Sequence, residues 1–380
     1  MSVRLKPIDE QVIVITGATS GIGLVTARMA AERGARVVLA ARDREALAQV
    51  ADEIRRNGGQ AVHCVADVAD EIEMRQVAAT ALRAYDGFDS WVNNAGVSIY
   101  GRIADVPMED HRRLFETNYW GVVIGSRIAM QHLRRDGGSI VNVGSTLSDR
   151  AIPLQGPYCA TKHAVKAFTD SLRMELEAEG APVSVTLIKP AAIDTMYEAH
   201  AKNFLDTEPS NPPPVYAPEL VAEGILHAVE TPVRDLYIGG AAKMFSLAET
   251  FAPRLTDYVM ERQLTRMQRS GGMKRPRNDA LHAPGEDGID RARRHGFVRE
   301  TSLYTAAQMH PWVSAALVAG FGILAGAAVR RGWTRQDGTA ARDGQHAGRH
   351  ADLPGRHRTL GHNAKPAHVA TEEREVVFRD

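Results

Sequence analysis

From Gln11 to about residue 250 the chain alternates short apolar runs with longer amphipathic stretches. Gln11–Thr16 (QVIVIT), Arg36–Ala41 (RVVLAA), Ala61–Ala66 (AVHCVA), Ser90–Val92, Gly138–Val143 (GSIVNV) and Val183–Ile188 are apolar and β-branched. Such runs predict strands buried on both faces. Between them, Leu24–Arg33, Glu45–Arg56, about Asp70–Tyr85, Met108 to about Leu133, the stretch from Pro157 to about Ala178, and Pro218–Val229 carry helical periodicity, and Leu236–Gly240 reads as a last strand. Strand alternating with helix predicts an α/β fold with a doubly wound parallel sheet.

Later the pattern changes. From about Glu261 to Arg299 the chain is polar and basic, reading as a solvated linker after one or two helices at 241–264. Trp312–Val329 is an uncharged run of 18 residues. As a helix it reaches ~27 Å, marginal for a hydrocarbon core of ~30 Å. Gly322 and Gly326 form a small-x-x-x-small face, with Trp312 and Trp333 flanking and Arg330-Arg331 following, as at a membrane interface. Past Arg330 large apolar residues are few and a disordered tail is expected. The expected division is therefore a catalytic domain over 1–250, a basic extension over 251–310, a transmembrane or glycine-zipper helix over 311–331, and a tail over 332–380. A soluble packing helix is the alternative for 311–331.

Composition narrows the function. The 380 residues carry no formal net charge and are 44% hydrophobic, a globular balance that gives no reason to expect nucleic-acid binding. The basic 262–299 stretch lacks interleaved aromatics. Cys64 and Cys159 are the two cysteines, too few for a disulfide framework and without metal-type spacing. Met1–Glu10 has no apolar core, so no cleavable signal peptide is expected. A cytoplasmic catalytic domain follows, anchored to an inner membrane if the apolar run inserts.

Candidate chemistry sits at the strand ends. The first strand runs into Gly17-Ala18-Thr19-Ser20-Gly21-Ile22-Gly23, and a glycine turn leading into a helix N-terminus presents backbone N–H groups to a pyrophosphate. Arg42 follows the second strand, where an arginine accommodates the 2′-phosphate of NADP and an acid would take the ribose of NAD. NADP(H) is thus favoured over NAD(H), with a ribose contact from Asp43 as the alternative. Ser145 closes the fifth strand at the sheet edge where such folds bind ligands. Asn118 stands mid-helix, readable as a surface residue or a buried amide. Tyr158 and Lys162 are four apart on one helical face, and a nearby ammonium lowers a phenol's pKa toward use as a general acid/base.

These fragments, in this order, resemble the short-chain dehydrogenase/reductase family over roughly Lys6–Gly240. The matching pieces are Thr16–Gly23, Asp67-Val68, Asn93-Asn94-Ala95-Gly96, Asn118, Ser145 and Tyr158-x-x-x-Lys162. The resemblance implies a three-layer Rossmann fold and carbonyl–alcohol interconversion with a nicotinamide cofactor. It assigns proton transfer to Tyr158, pKa control and ribose binding to Lys162, substrate orientation to Ser145, and a water relay to Asn118. Asp67 and Val68 would hold the adenine, Asn93, Ala95 and Gly96 the cofactor's middle, and Pro190, Ile193 and Thr195 the carboxamide. Ala191 departs from the family's Pro-Gly. The resemblance also implies a homodimer or homotetramer through the helices bearing Asn118 and Tyr158, and a small-molecule substrate. Met196, Tyr197, Phe204 and Leu205 suggest apolar bulk in that substrate. An inactive nucleotide-binding scaffold at a membrane is the rival reading; four intact catalytic positions speak against it.

Overall fold

Strands without a polar face need cover on both sides, and this chain supplies it. The computed structural model describes residues 3–240, 243, 251–274, 277–293 and 296–314. β1 (Val12–Thr16), β2 (Arg36–Ala41), β3 (Gln60–Val65), β4 (Ser90–Asn93), β5 (Gly138–Val143), β6 (Val183–Pro190) and β7 (Asp235–Ile238) form one sheet. Its order is β7-β6-β5-β4-β1-β2-β3, and every pairing is parallel. Alternate residues feed opposite layers. Ile13 and Ile15 join a core with Leu24, Leu39 and Ile225, whereas Val12 and Val14 join one with Trp91, Ile140 and Leu172.

The crossover helices are α1 (Gly21–Glu32), α2 (Arg44–Arg56), α3 (Glu71–Tyr85), α4 (Met108–Phe115) continuing into α5 (Gly121–Asp136), α6 (Gly156–Ala178) and α7 (Pro218–Glu230). Asp43 and Asp70 cap α2 and α3, each accepting two backbone N–H bonds. Pro157 lies in the first turn of α6. The helix predicted from Met108 is interrupted by a π-helical turn at Glu116–Trp120. Strand order reverses between β1 and β4, so the carboxyl ends of these strands open a cleft.

The solvated-linker expectation for the basic stretch does not hold within residues 1–316, which form one compact unit. Arg269–Met273 pairs antiparallel with Thr207–Pro209, and Val298–Arg299 pairs with Val215–Tyr216. Several of its arginines find acidic partners on the main body: Arg277 pairs with Glu208 at 2.6 Å and Arg291 with Glu219 at 2.6 Å. Ala280 and Leu281 are buried. Among the described residues no helix is long and apolar enough to cross a membrane. The apolar run from residue 315 onward and the expected tail lie outside the described residues.

Candidate active site

The first turn after β1 needs its glycines. Gly17 has φ +65°, and a Cβ there would lie 2.9 Å from Ala95 Cα. A Cβ on Gly23 would fall 2.0 Å from Gly17 O and 2.5 Å from Asn94 Nδ2. Gly23 thus lets the helix start close against its own loop, while Asn94 ties the loop to the next strand by donating to Thr16 O at 2.9 Å.

Across the cleft, four side chains arrive from three elements. α6 presents Tyr158 and Lys162, both buried. Lys162 Nζ donates to Val143 O at 2.8 Å and lies 5.7 Å from the Tyr158 ring centroid. Ser145 starts a short turn of helix at Thr146–Ser148, its Oγ accepting from Leu147 N at 3.0 Å. That leaves the hydroxyl proton free to point elsewhere. Asn118 sits in the π-helical turn with no exposure. Its Oδ1 accepts from Val97 N at 2.9 Å, and its Nδ2 donates to Val97 O at 2.9 Å and Thr161 Oγ1 at 3.1 Å. The buried-amide alternative is the one observed. The widened turn aims the amide at β4's exit loop, a role π-turns often take at functional sites.

The electrostatics differ from the sequence expectation. Burial pushes the Tyr158 phenol up to about 12, and side-chain hydrogen bonds from Ser145 and Tyr197 pull it part of the way back. Burial also takes Lys162 down to about 8. No lowering of the phenol by the ammonium stands among the causes of its shift: the ammonium donates to a carbonyl, and burial dominates both groups. Tyr158 therefore keeps its proton at neutral pH.

The cleft encloses about 270 Å³. Of the predicted residues, Ser20, Gly21, Ile22, Ala95, Gly96, Pro190, Ile193 and Thr195 line it together with Gly17, Ser145, Tyr158 and Lys162. Gly96 brings the backbone close, since a Cβ there would lie 3.4 Å from Asn118 Oδ1 and 3.7 Å from Lys162 Nζ. Asn93 faces away from the cleft, accepting from Trp91 Nε1 and donating to Ser126 and Asn142. Its neighbour Asn94 lines the cleft instead. Thr19 is buried within the loop. Val68 packs beside Gly121, where a Cβ would meet Val68 Cγ2 at 2.6 Å. Asp67 pairs with Arg113. Arg42 donates to Ala280 O at 2.6 Å, and Asp43 is committed to its helix cap.

Sequence reasoning missed Gln155 and the polar role of Tyr197. The Tyr197 hydroxyl lies 2.7 Å from Gln155 Oε1 and 2.8 Å from Ser98 Oγ, with its ring edge-on to Tyr158. No local signal marks them, because they meet only through tertiary folding. The partner of Asn118, Thr161, stood inside the Tyr158–Lys162 motif.

The chain is similar to known oxidoreductases in sequence and fold. A family described as short chain dehydrogenase matches residues 11–205. The chain is 48% identical over 332 residues to "Uncharacterized oxidoreductase YxnA" of Bacillus subtilis, covering 86% of this chain and 93% of that protein. It is 36% identical over 197 residues to the Bos taurus "Dehydrogenase/reductase SDR family member 7B", covering 50% and 60%. Among solved structures, a Burkholderia phymatum short chain dehydrogenase/reductase in complex with NAD has a TM-score of 0.60 at 25% identity, covering 66% of this chain and 96% of that one. An alcohol dehydrogenase from Thermococcus sibiricus complexed with 5-hydroxy-NADP has a TM-score of 0.53 at 26% identity, covering 60% and 95%.

Proposed function

The chain is an oxidoreductase that belongs to the short-chain dehydrogenase family, and from that premise we propose that it interconverts a carbonyl compound and its alcohol, with Tyr158 as the acid/base and NADP(H) preferred over NAD(H). The observation that carries this reading is the convergence of Tyr158, Ser145 and Lys162 on one cleft at the carboxyl edge of the sheet, with Asn118 fixed behind them.

The residues fit a nicotinamide cofactor on the β4–β6 side of the cleft. Gly96 leaves backbone open beside Lys162 and Asn118, and Pro190, Ile193 and Thr195 form the facing wall. When bound, such a cofactor supplies or accepts the hydride. The chain's own part is proton handling and orientation. Tyr158, protonated at neutral pH, donates to the carbonyl oxygen during reduction and recovers a proton afterwards. Ser145, hydrogen-bonded to the phenol in the free protein, donates its proton to the same oxygen when substrate is bound. Lys162, anchored on Val143 O, places positive charge near the phenol as it ionises. Asn118 holds Val97 and Thr161, and so fixes the backbone on which these groups are carried.

The preference for NADP(H) rests on Arg42 at the end of β2. Leu147, Ile152, Met196, Pro213, Met260 and Leu264 line the same cleft, which supports a substrate with apolar bulk. Trp120 and Met174 are exposed on the helices that carry Asn118 and Tyr158, which supports pairing of two copies through those helices. The working division remains a catalytic domain over 1–250 with later extensions, of which the basic one completes the fold.

A panel of apolar aldehydes and ketones, followed by loss of reduced-cofactor absorbance, tests the reading. Tyr158→Phe is expected to lower kcat by about 100- to 10,000-fold while cofactor affinity stays within a few-fold. Wild-type turnover in that variant would refute the assignment.

A further inference from the structure

Three groups are placed to meet the adenosine and pyrophosphate parts of a dinucleotide: the Gly21 amide, the Arg42 guanidinium and the Asp67 carboxylate. In this structure all three are engaged by the protein itself. Gly21 N donates to Ile289 O at 2.9 Å, so a backbone carbonyl accepts where an anionic oxygen would. Arg42 Nη2 donates to Ala280 O at 2.6 Å and Nη1 to Leu281 O at 3.5 Å. Asp67 pairs with Arg113, whose Nε donates to Leu281 O at 3.1 Å. One segment, 280–290, thus crosses the carboxyl ends of β3, β2 and β1 in turn.

The segment is seated by more than these bonds. Leu281 has no exposure and packs in the cluster that contains Val97, Leu114 and Tyr158. Gly288 N donates to Thr19 O at 2.8 Å, which doubles the backbone link to the glycine turn. His282 Nε2 lies 2.7 Å from Asp110 Oδ1. By contrast, the side of the cleft around Tyr158 and Lys162 is open.

We propose that segment 280–290 is an intramolecular competitor of the dinucleotide, a strap that occupies the adenosine half of the cleft and leaves it when the cofactor binds. The proposal rests on the reading that this cleft takes a nicotinamide dinucleotide. The carbonyls of Ala280 and Leu281 cannot hold the two Nη groups of Arg42, and that of Ile289 the Gly21 amide, while a phosphorylated ligand uses the same donors, so the two occupants exclude each other. A ligand's apparent affinity falls by the fraction of molecules with the site open, and loosening the strap therefore tightens binding.

Hydrogen exchange of the full chain reads the strap directly. The amides in 279–291 are expected to be protected in the free protein and to lose protection when NADPH is added to saturation. Leu281→Asp, which places a charge in an apolar cluster, and Gly288→Pro, which removes the bond to Thr19 O, are each expected to bind NADPH about 10-fold or more tightly than the wild type. If the wild type binds NADPH or NADH while 279–291 stays protected or becomes more so, the segment is not a competitor and the proposal fails. If folded variants bind no more tightly, it also fails. If neither cofactor binds the wild type or the variants, the dinucleotide reading falls, and the strap's role with it.

Discussion

Lys162→Met removes a charge that the fold holds at a cost. Burial lowers the lysine from 10.5 to about 8, and at about 1.4 kcal/mol per pKa unit the charged form is disfavoured by roughly 3 kcal/mol. The neutral amine would still donate to Val143 O, a bond worth about 0.5–1.5 kcal/mol that methionine, similar in length, loses. At pH 7 the variant is therefore expected to exceed the wild type by about 1.5–2.5 kcal/mol. The pH dependence is the sharper test. Between pH 8 and 10.5 the unfolded lysine keeps a proton that the folded one has released, so the wild type gains stability as pH rises through that window. From pH 7 to about 9.5 the variant's standing against the wild type should therefore fall by roughly 2 kcal/mol. Urea unfolding of both proteins at the two pH values measures this, and groups common to both cancel in the difference. A difference that is independent of pH, or that moves in the variant's favour at high pH, would refute the argument that the lysine is destabilised by burial.

Two further outcomes are expected. Arg42→Ala should lower the ratio of NADPH to NADH affinity by about 10- to 100-fold, the worth of a charge-assisted bond to phosphate; freeing Ala280 O affects both cofactors alike and drops out of the ratio, and titration of each cofactor by fluorescence measures it. Asn118→Leu leaves Val97 N–H, Val97 O and Thr161 Oγ1 without their amide partner, and chemical denaturation should register a loss of about 1–3 kcal/mol per stranded group, less what relaxation recovers.

The sheet and its helices were legible because they obey local rules. QVIVIT and RVVLAA have no polar face, and β1 and β2 are both interior strands of a doubly covered sheet. The cleft's open half was legible too, since Tyr158 and Lys162 share a helical face and Ser145 ends a strand. What could not be read was long-range. The π-helical turn at Asn118 follows from bonds to Val97 and Thr161, and nothing in Glu116–Trp120 announces it. Arg42 has the right position for a phosphate, yet its partners lie 238 residues away in sequence. The arginines of 262–299 looked like a solvated stretch because their counter-charges, among them Glu208 and Glu219, belong to other parts of the chain. The phenol's pKa was misjudged for a related reason: burial is a property of the folded whole, and a motif carries no record of it.

The distance along the chain between the cleft and the segment that crosses it also sets an order of events during synthesis. β1 to β7 are complete at Ile238, while Ala280 comes later. At about 5–20 residues per second a translating ribosome takes a few seconds to make the intervening stretch. During that interval the glycine turn, Arg42 and Asp67 are assembled with nothing laid across them. The newborn protein and the finished one therefore present different surfaces to the same small molecules, and a segment made after the sheet decides which surface persists.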